Sequence, residues 1–309
     1  MLTIRDDRHM RSLTGLAQAQ FDKLLEMFIC MYEEMRQAAY AASVAAGTRK
    51  RKPGGGAKGK LPTYADKLLF VLYYYKVYPT FDVLSTQFDM ARSKAHTNLY
   101  KLSPILEQTL VRLEVLPHRE FRTPAELKAA LQDVEQLLID VTERAYRRSQ
   151  DDATQREHYS GKKKRHTVKN TVISTLDKVI LFVGRTFTGH NHDYTMLKTE
   201  LPPDQDWFSE LQVLVDLGYL GIQKDYTGDQ IQVPTRKPRK SKKNLDPQLT
   251  PEQKAANRAI SQVRIFVENA IGGIKRYNIL VHRFRNHEDG FEDTVIGICA
   301  GLWNFTLSY

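Results

Sequence analysis

Apolar residues recur along this chain in two periods. Within residues 12–46, Leu16, Phe21, Leu24, Leu25, Phe28 and Met31 fall at helical spacing, and an alanine-rich stretch carries the same helix on. Tyr64–Tyr75 is almost continuously apolar and predicts a helix in a core, with Tyr73, Tyr74 and Tyr75 packed there rather than stacking on bases. Pro79-Thr80 restarts a helix that runs to Phe88, with Thr80 as its N-cap. Asp89-Met90 turns the chain, and Ala91–Tyr100 predicts a third helix. Beyond Pro117 the period shortens. Leu137–Val141 reads as a buried central strand. Arg165–Leu176 and Val179–Arg185 are β-branched runs joined by the tight link Leu176-Asp177-Lys178, which predicts an antiparallel hairpin. Leu211–Val215 is a second buried strand. Thr250 and Pro251 open a long helix that reaches about Ile274, and a last apolar helix covers Phe291–Leu307. Strands and helices in this order predict an α/β sheet with helices packed on it, preceded by an all-α block.

Charge adds a partner. The 309 residues hold 41% hydrophobic residues, enough for a real core, and a net charge of +10. That excess favours an anionic partner, most often nucleic acid, over a merely soluble basic protein. It is also concentrated. Residues 48–60 carry six basic residues around three consecutive glycines and read as a flexible cationic linker. Residues 233–243 contain Arg236, Lys237, Arg239, Lys240, Lys242 and Lys243. The third predicted helix bears Arg92, Ser93, Lys94, His96, Thr97 and Asn98 just after a tight turn, a helix-turn-helix pattern whose polar types suit phosphates and base edges. An ordinary bundle with a solvated face fits equally well, and the basic linker beside it tips the reading to double-stranded DNA. Cys30 and Cys299 both sit in apolar helical patterns, so free buried thiols are expected and a zinc module of the usual kind is excluded. No apolar run reaches membrane-span length and no signal-peptide core opens the chain, so an intracellular protein is expected.

The candidate chemistry lies in three acids. Arg264, Glu268 and Lys275 stand four and seven residues apart, steps that return to nearly the same face of a helix with about 3.6 residues per turn. They run beside an apolar stripe of Ile260, Val263, Val267, Ile271 and Ile274. Asp140 and Asp216 each end or follow a predicted buried strand, where an acid is costly unless paired, hydrogen-bonded or bound to metal. If the strands are neighbours and the long helix crosses the same edge, three carboxylates form a hard-oxygen site for Mg²⁺ or Mn²⁺, and two such ions suit phosphodiester cleavage. Each acid alone is a weak signal, since many strand-end aspartates only cap loops. The run Gly189-His-Asn-His192-Asp193 lacks a third ligand for zinc, and Asp193 reads as the cap of a helix over Tyr194–Thr199. The basic turn with Lys162, Lys163, Lys164 and Arg165 reads as a phosphate contact beside the Asp140 strand.

These segments together resemble a known family. Leu138-Ile-Asp140-Val-Thr-Glu-Arg144 followed by His158–Thr167 resembles the first catalytic segment of bacterial DDE transposases of the insertion-sequence type related to Harbinger elements. Asp216-Leu-Gly-Tyr219 is similar to the second segment, and Arg264, Glu268 and Lys275 to the third; Ser261 stands where many members have Tyr. The resemblance implies an RNase H-like catalytic domain, a mixed sheet flanked by helices, over 117–309. It implies a helix-turn-helix domain over 61–116, after a helical segment at 1–47 and the linker at 48–60. It implies Asp140, Asp216 and Glu268 as ligands of two Mg²⁺ or Mn²⁺ ions, with Arg264 and Lys275 on DNA phosphates. The implied reaction is cleavage at transposon ends and attack of the freed 3′-hydroxyl on target DNA. The expected assembly is a homodimer or larger, on the nucleoid of a bacterial cytoplasm. A host-adopted, catalytically silent DNA-binding protein is the alternative, as is a nuclease of the same fold acting on RNA or hybrids, which the duplex-reading helix-turn-helix disfavours.

Overall fold

The computed structural model describes residues 3–52, 59–131, 134–240 and 245–309. Gly54, Gly55, Gly56 and Lys58 of the expected linker, and Lys242 and Lys243 of the later basic stretch, lie outside the described residues. The chain divides into two compact units. Met1–Leu116, Lys275–His282 and Asn286–Tyr309 form a helical unit, and Pro117–Ile274 with Arg283–Arg285 form a sheet-containing unit.

In the helical unit, α1 (Asp7–Thr14) is capped by Asp6, whose side chain accepts from the His9 N–H, and ends at Gly15 with φ 84°. That left-handed turn is readily open only to glycine, so the single helix expected over 12–46 is broken there. α2 (Gln18–Ala45) then buries Phe21, Leu24, Phe28 and Met31. Cys30 falls off that stripe and is exposed, against expectation. α3 (Tyr64–Val77) opens on a capping box of Thr63 and Asp66 and buries Leu68 through Tyr75, the three tyrosines included. α4 (Phe81–Gln87) is capped by Thr80, and after a turn with Asp89 at φ 49° comes α5 (Arg92–Arg112). α5 continues well past Tyr100, with Pro104 inside it. Leu102, Ile105, Leu106 and Leu110 keep its buried stripe in phase, and that burial outweighs a proline cost of about 3 kcal/mol.

The sheet-containing unit starts with α6 (Pro124–Leu131) and β1 (Gln136–Ala145). α7 (Asp152–His158), β2 (Tyr159–Ser160), β3 (Arg165–Ser174), β4 (Ile180–Val183) and β5 (Phe187–Thr188) follow. Next come α8 (Asp193–Glu200), β6 (Gln212–Leu214), α9 (Ile222–Asp225), β7 (Ile231–Gln232) and α10 (Pro251–Ile274). The sheet is mixed, in the order β2-β3-β1-β6-β7, with β4 and β5 also pairing with β3. The predicted hairpin is β3–β4, antiparallel, with Val172 opposite Val183. β1 is longer than its apolar run because β3 pairs with it from Leu138 to Ala145. Leu137, Ile139, Ile173, Phe182, Val213 and Val215 pack with Trp207 and Phe208 in one core. α10 packs on β1 and β3 and buries Ile260, Val267, Ile271 and Ile274 of the stripe predicted for it, while Val263 is half-buried.

α11 (Phe291–Ser308) is the last element, and every residue of it from Val295 to Phe305 is buried. It was expected in a catalytic domain spanning 117–309, and it groups instead with the helical unit, packed against α5. Its apolar surface finds cover there, and Asn304 Nδ2 donates to the Val115 carbonyl at 3.0 Å. In the same unit Asn286 accepts from the hydroxyls of Tyr74 (3.0 Å) and Tyr78 (3.1 Å) and donates to Tyr100 (2.8 Å), so one buried amide ties α3 to α5.

Candidate functional site

Two of the three acids are set by one strand register. β1 and β6 run parallel, pairing Gln136 with Gln212, Leu137 with Val213 and Leu138 with Leu214. Asp140 stands two residues past the last of these pairs on β1, and Asp216 two residues past it on the segment leaving β6. Asp140 remains in β1, where its partner on the other side is Val172. Asp216 has left the ladder and caps a short 3₁₀ turn, Leu217–Tyr219, accepting from the Gly218 N–H at 2.7 Å.

Asp140 is largely buried. Burial pushes its carboxyl above the ordinary carboxylate range, the Val141 N–H and the Arg264 guanidinium pull it back, and the charges of Asp216 and Asp193 push it up again. Arg264 Nη2 donates to Asp140 Oδ2 at 3.0 Å. Glu268 lies one turn further along α10, exposed, and makes no described hydrogen bond or ion pair. Lys275 falls one residue past the end of α10 and belongs to the helical unit, so the expected three-residue stripe is helical only at Arg264 and Glu268.

The donor chemistry fits a hard divalent ion. Asp140 and Asp216 are carboxylates near enough for the charge of one to act on the other, and Asp140 already attracts a cation, the guanidinium of Arg264. Among the described residues, no three Asp, Glu, His or Cys side chains stand close enough together to hold one ion.

The structure adds three residues that the sequence reading did not place here. Asp193 is the first residue of α8, with His192 as the N-cap. Its carboxylate therefore does not cap the helix; it accepts from Lys169 Nζ at 2.9 Å. Tyr219 is fully buried, its hydroxyl finds no hydrogen-bond partner among the described residues, and burial followed by the charges of Asp140, Asp193 and Asp216 pushes its pKa far up. The run Gly189–Asp193 was a visible signal for Asp193. Lys169 sits in a β-branched run that disguises it, and Tyr219 stands in the Asp216–Tyr219 segment, where its type alone suggests no role.

The nucleic-acid candidates are mostly on the surface. On α5, Ala95 and Leu99 face inward, while Arg92, Ser93, Lys94, His96 and Thr97 are exposed and Asn98 is half-buried. Arg92 pairs with Asp82 at 3.4 Å, and the His96 ring lies against Phe81 and Tyr100. Lys162, Lys163 and Lys164 lie in an exposed turn between β2 and β3, closed by the Ser160 hydroxyl accepting from the Lys163 N–H, and Arg165, also exposed, opens β3. No helix among the described residues is long and apolar enough to cross a membrane.

Known proteins match on both units. Residues 139–304 match the family model described as DDE superfamily endonuclease, and residues 59–112 match the helix-turn-helix of DDE superfamily endonuclease. The second match spans α3, α4 and α5. A probable transposase for insertion sequence element IS702 from Microchaete diplosiphon is 29% identical over 273 residues, 87% of this chain and 90% of that protein. No solved structure matches the chain.

Proposed function

Because the chain belongs to the DDE superfamily endonucleases and carries their helix-turn-helix, we propose that it is a DNA transposase that binds transposon ends, cuts them and transfers the cut strand. The observation that supports the reading is the parallel pairing of β1 with β6, two residues beyond which the chain carries Asp140 on one side and Asp216 on the other. In this reading Asp140 and Asp216 hold Mg²⁺ or Mn²⁺, with Glu268 as the third acid from α10. When bound, such ions supply Lewis-acid activation of the attacking oxygen and stabilise the leaving oxygen.

The remaining work belongs to the chain's own side chains. Arg92, Ser93, Lys94, His96 and Asn98 present α5 to the duplex, where phosphate contacts fix register and base edges give specificity. Lys162, Lys163, Lys164, Arg165, Arg264 and Lys275 hold the phosphates of the strand to be cut. Water attacks phosphorus, the bond to the 3′-oxygen breaks, and that oxygen leaves as a 3′-hydroxyl beside a 5′-phosphate. The freed hydroxyl then attacks a target phosphodiester, and one P–O bond replaces another without ATP. Two ends must be joined in one event, so the working form is a dimer or larger.

One observation favours the competing reading of a catalytically silent DNA-binding protein: Glu268 is exposed and apart from the other acids' hydrogen bonds. Incubating the protein with supercoiled plasmid and Mn²⁺ or Mg²⁺ separates the two. Metal-dependent nicking or joining is expected, abolished in Asp140→Ala and in Glu268→Gln. Sequence-specific binding to the element's own ends, with no cleavage in either metal, would reject the transposase.

A further inference from the structure

The β2–β3 ladder carries an exposed aromatic ring among cations. Tyr159 on β2 pairs with His166 on β3, and Ser160 with Arg165. The Tyr159 and His166 rings meet edge-on, with centroids 5.9 Å apart. That contact does not cover the ring, and 43% of Tyr159 remains exposed. The rings beside it are used in packing: His158 stacks on Tyr146 at 5.0 Å and Tyr146 on Phe284 at 6.0 Å, both at 10°. Tyr159 follows His158 directly and stands outside that stack.

Backbone bonds gather cations around the ladder. The Tyr146 N–H donates to the His166 carbonyl at 2.9 Å, and the Phe284 N–H to the Ala145 carbonyl at 3.0 Å. Arg148 and Arg283, both exposed, are thereby brought to the side of the ladder whose turn holds Lys162, Lys163 and Lys164. Arg148 Nε donates to Gln155 Oε1 at 2.7 Å. Among the described residues, none of these five cations has a carboxylate partner. All of them belong to the sheet-containing unit.

Cations of this kind attract any nucleic-acid backbone, duplex or single-stranded. An exposed ring among them adds something narrower. The faces of paired bases are covered by their neighbours in the duplex, so an aromatic side chain can stack only on a base that has left the stack.

We propose that Tyr159 stacks on an unpaired base of the DNA strand, with Arg148, Arg283 and the Lys162–Lys164 turn holding the phosphates on either side of it. The proposal rests on the DNA-processing reading given above and adds to it an opened strand as the substrate of the sheet-containing unit. The structural alternative is that the Tyr159–His166 pair only braces the ladder, as cross-strand pairs do.

Binding of the full chain to a labelled single-stranded oligonucleotide, and to a duplex of the same length, is followed by fluorescence anisotropy at one salt concentration without divalent ions. Tyr159→Ala, Tyr159→Phe and Lys163→Ala are compared with the original, each checked by circular dichroism and thermal melting. Tyr159→Ala is expected to weaken single-strand binding by about 5- to 150-fold, the worth of one stacked base, and to leave duplex binding as it was. Tyr159→Phe keeps the ring and is expected to bind as the original does, while Lys163→Ala weakens both substrates. Tyr159→Trp is expected to show fluorescence quenching on adding the single strand that the original lacks. Single-strand binding in Tyr159→Ala that matches the original would overturn the proposal. So would equal losses on single strand and duplex, an unquenched Tyr159→Trp, or an original that binds no single strand. Each of these leaves metal-dependent plasmid nicking as a separate test, so the transposase reading stands or falls independently.

Discussion

Glu200 shows what one side chain can store. It ends α8 with both carboxylate oxygens buried and no hydrogen bond of ordinary geometry, pressed against Gly184, where no side chain would fit. Burial pushes its pKa from 4.5 to about 7, against the pull of the Thr171 hydroxyl and of Arg185 and Arg119. The folded protein therefore keeps a proton that the unfolded chain releases. Stability contributed by the protonated form is fully present below pH 4.5 and drains away as pH rises through 7. Glu200→Gln removes that slope. Urea unfolding is expected to find the variant and the original close at pH 5, and the variant more stable at pH 8 by up to about 3 kcal/mol. A parallel pH dependence in both proteins would show that another group titrates instead.

α5 is the element on which a DNA contact is most easily tested. Lys94 is exposed in its first turn, on the face opposite Ala95 and Leu99. As a phosphate contact, Lys94→Ala would weaken binding about equally on all sequences and lower the salt slope of log K by roughly one. Fluorescence anisotropy across a salt series measures both, and a change on one sequence alone would mark Lys94 as a base reader. Much at this scale was legible beforehand. The Thr80 cap, the β3–β4 hairpin and the buried stripe of α10 follow from local chemistry that the sequence displays. The rest depended on partners. Gly15 breaks a continuous apolar pattern through its backbone conformation, Pro104 is carried by burial around it, and β1 runs on because β3 lies beside it. Asp193 looked like a helix cap because that is the commoner role of such a residue, and only Lys169, distant in sequence, shows where its carboxylate turns.

At the scale of the whole molecule, the division at Leu116 and Pro117 was visible as a change of period, while the return of the chain to the helical unit was not. Nothing local in Phe291–Ser308 says which unit its apolar surface covers. A chain ending at residue 285 would lack α11 and Asn286, hence the cover over α5 and the amide that joins Tyr74, Tyr78 and Tyr100. It is expected to lose several kcal/mol in the helical unit, given about 1.5–3 kcal/mol per large apolar side chain withdrawn. Circular dichroism would then show more helix lost than α11 itself contains; a loss of α11 alone would mean that α1 to α5 stand by themselves. The helical unit is thus interrupted by the sheet-containing unit along the chain, and this has a consequence for the order of synthesis. At about 5–20 residues per second, roughly ten to forty seconds of translation separate α5 from the segment that seals it. During that interval the nascent chain has α5 and lacks its seal, so a prematurely terminated product is left with that helix uncovered.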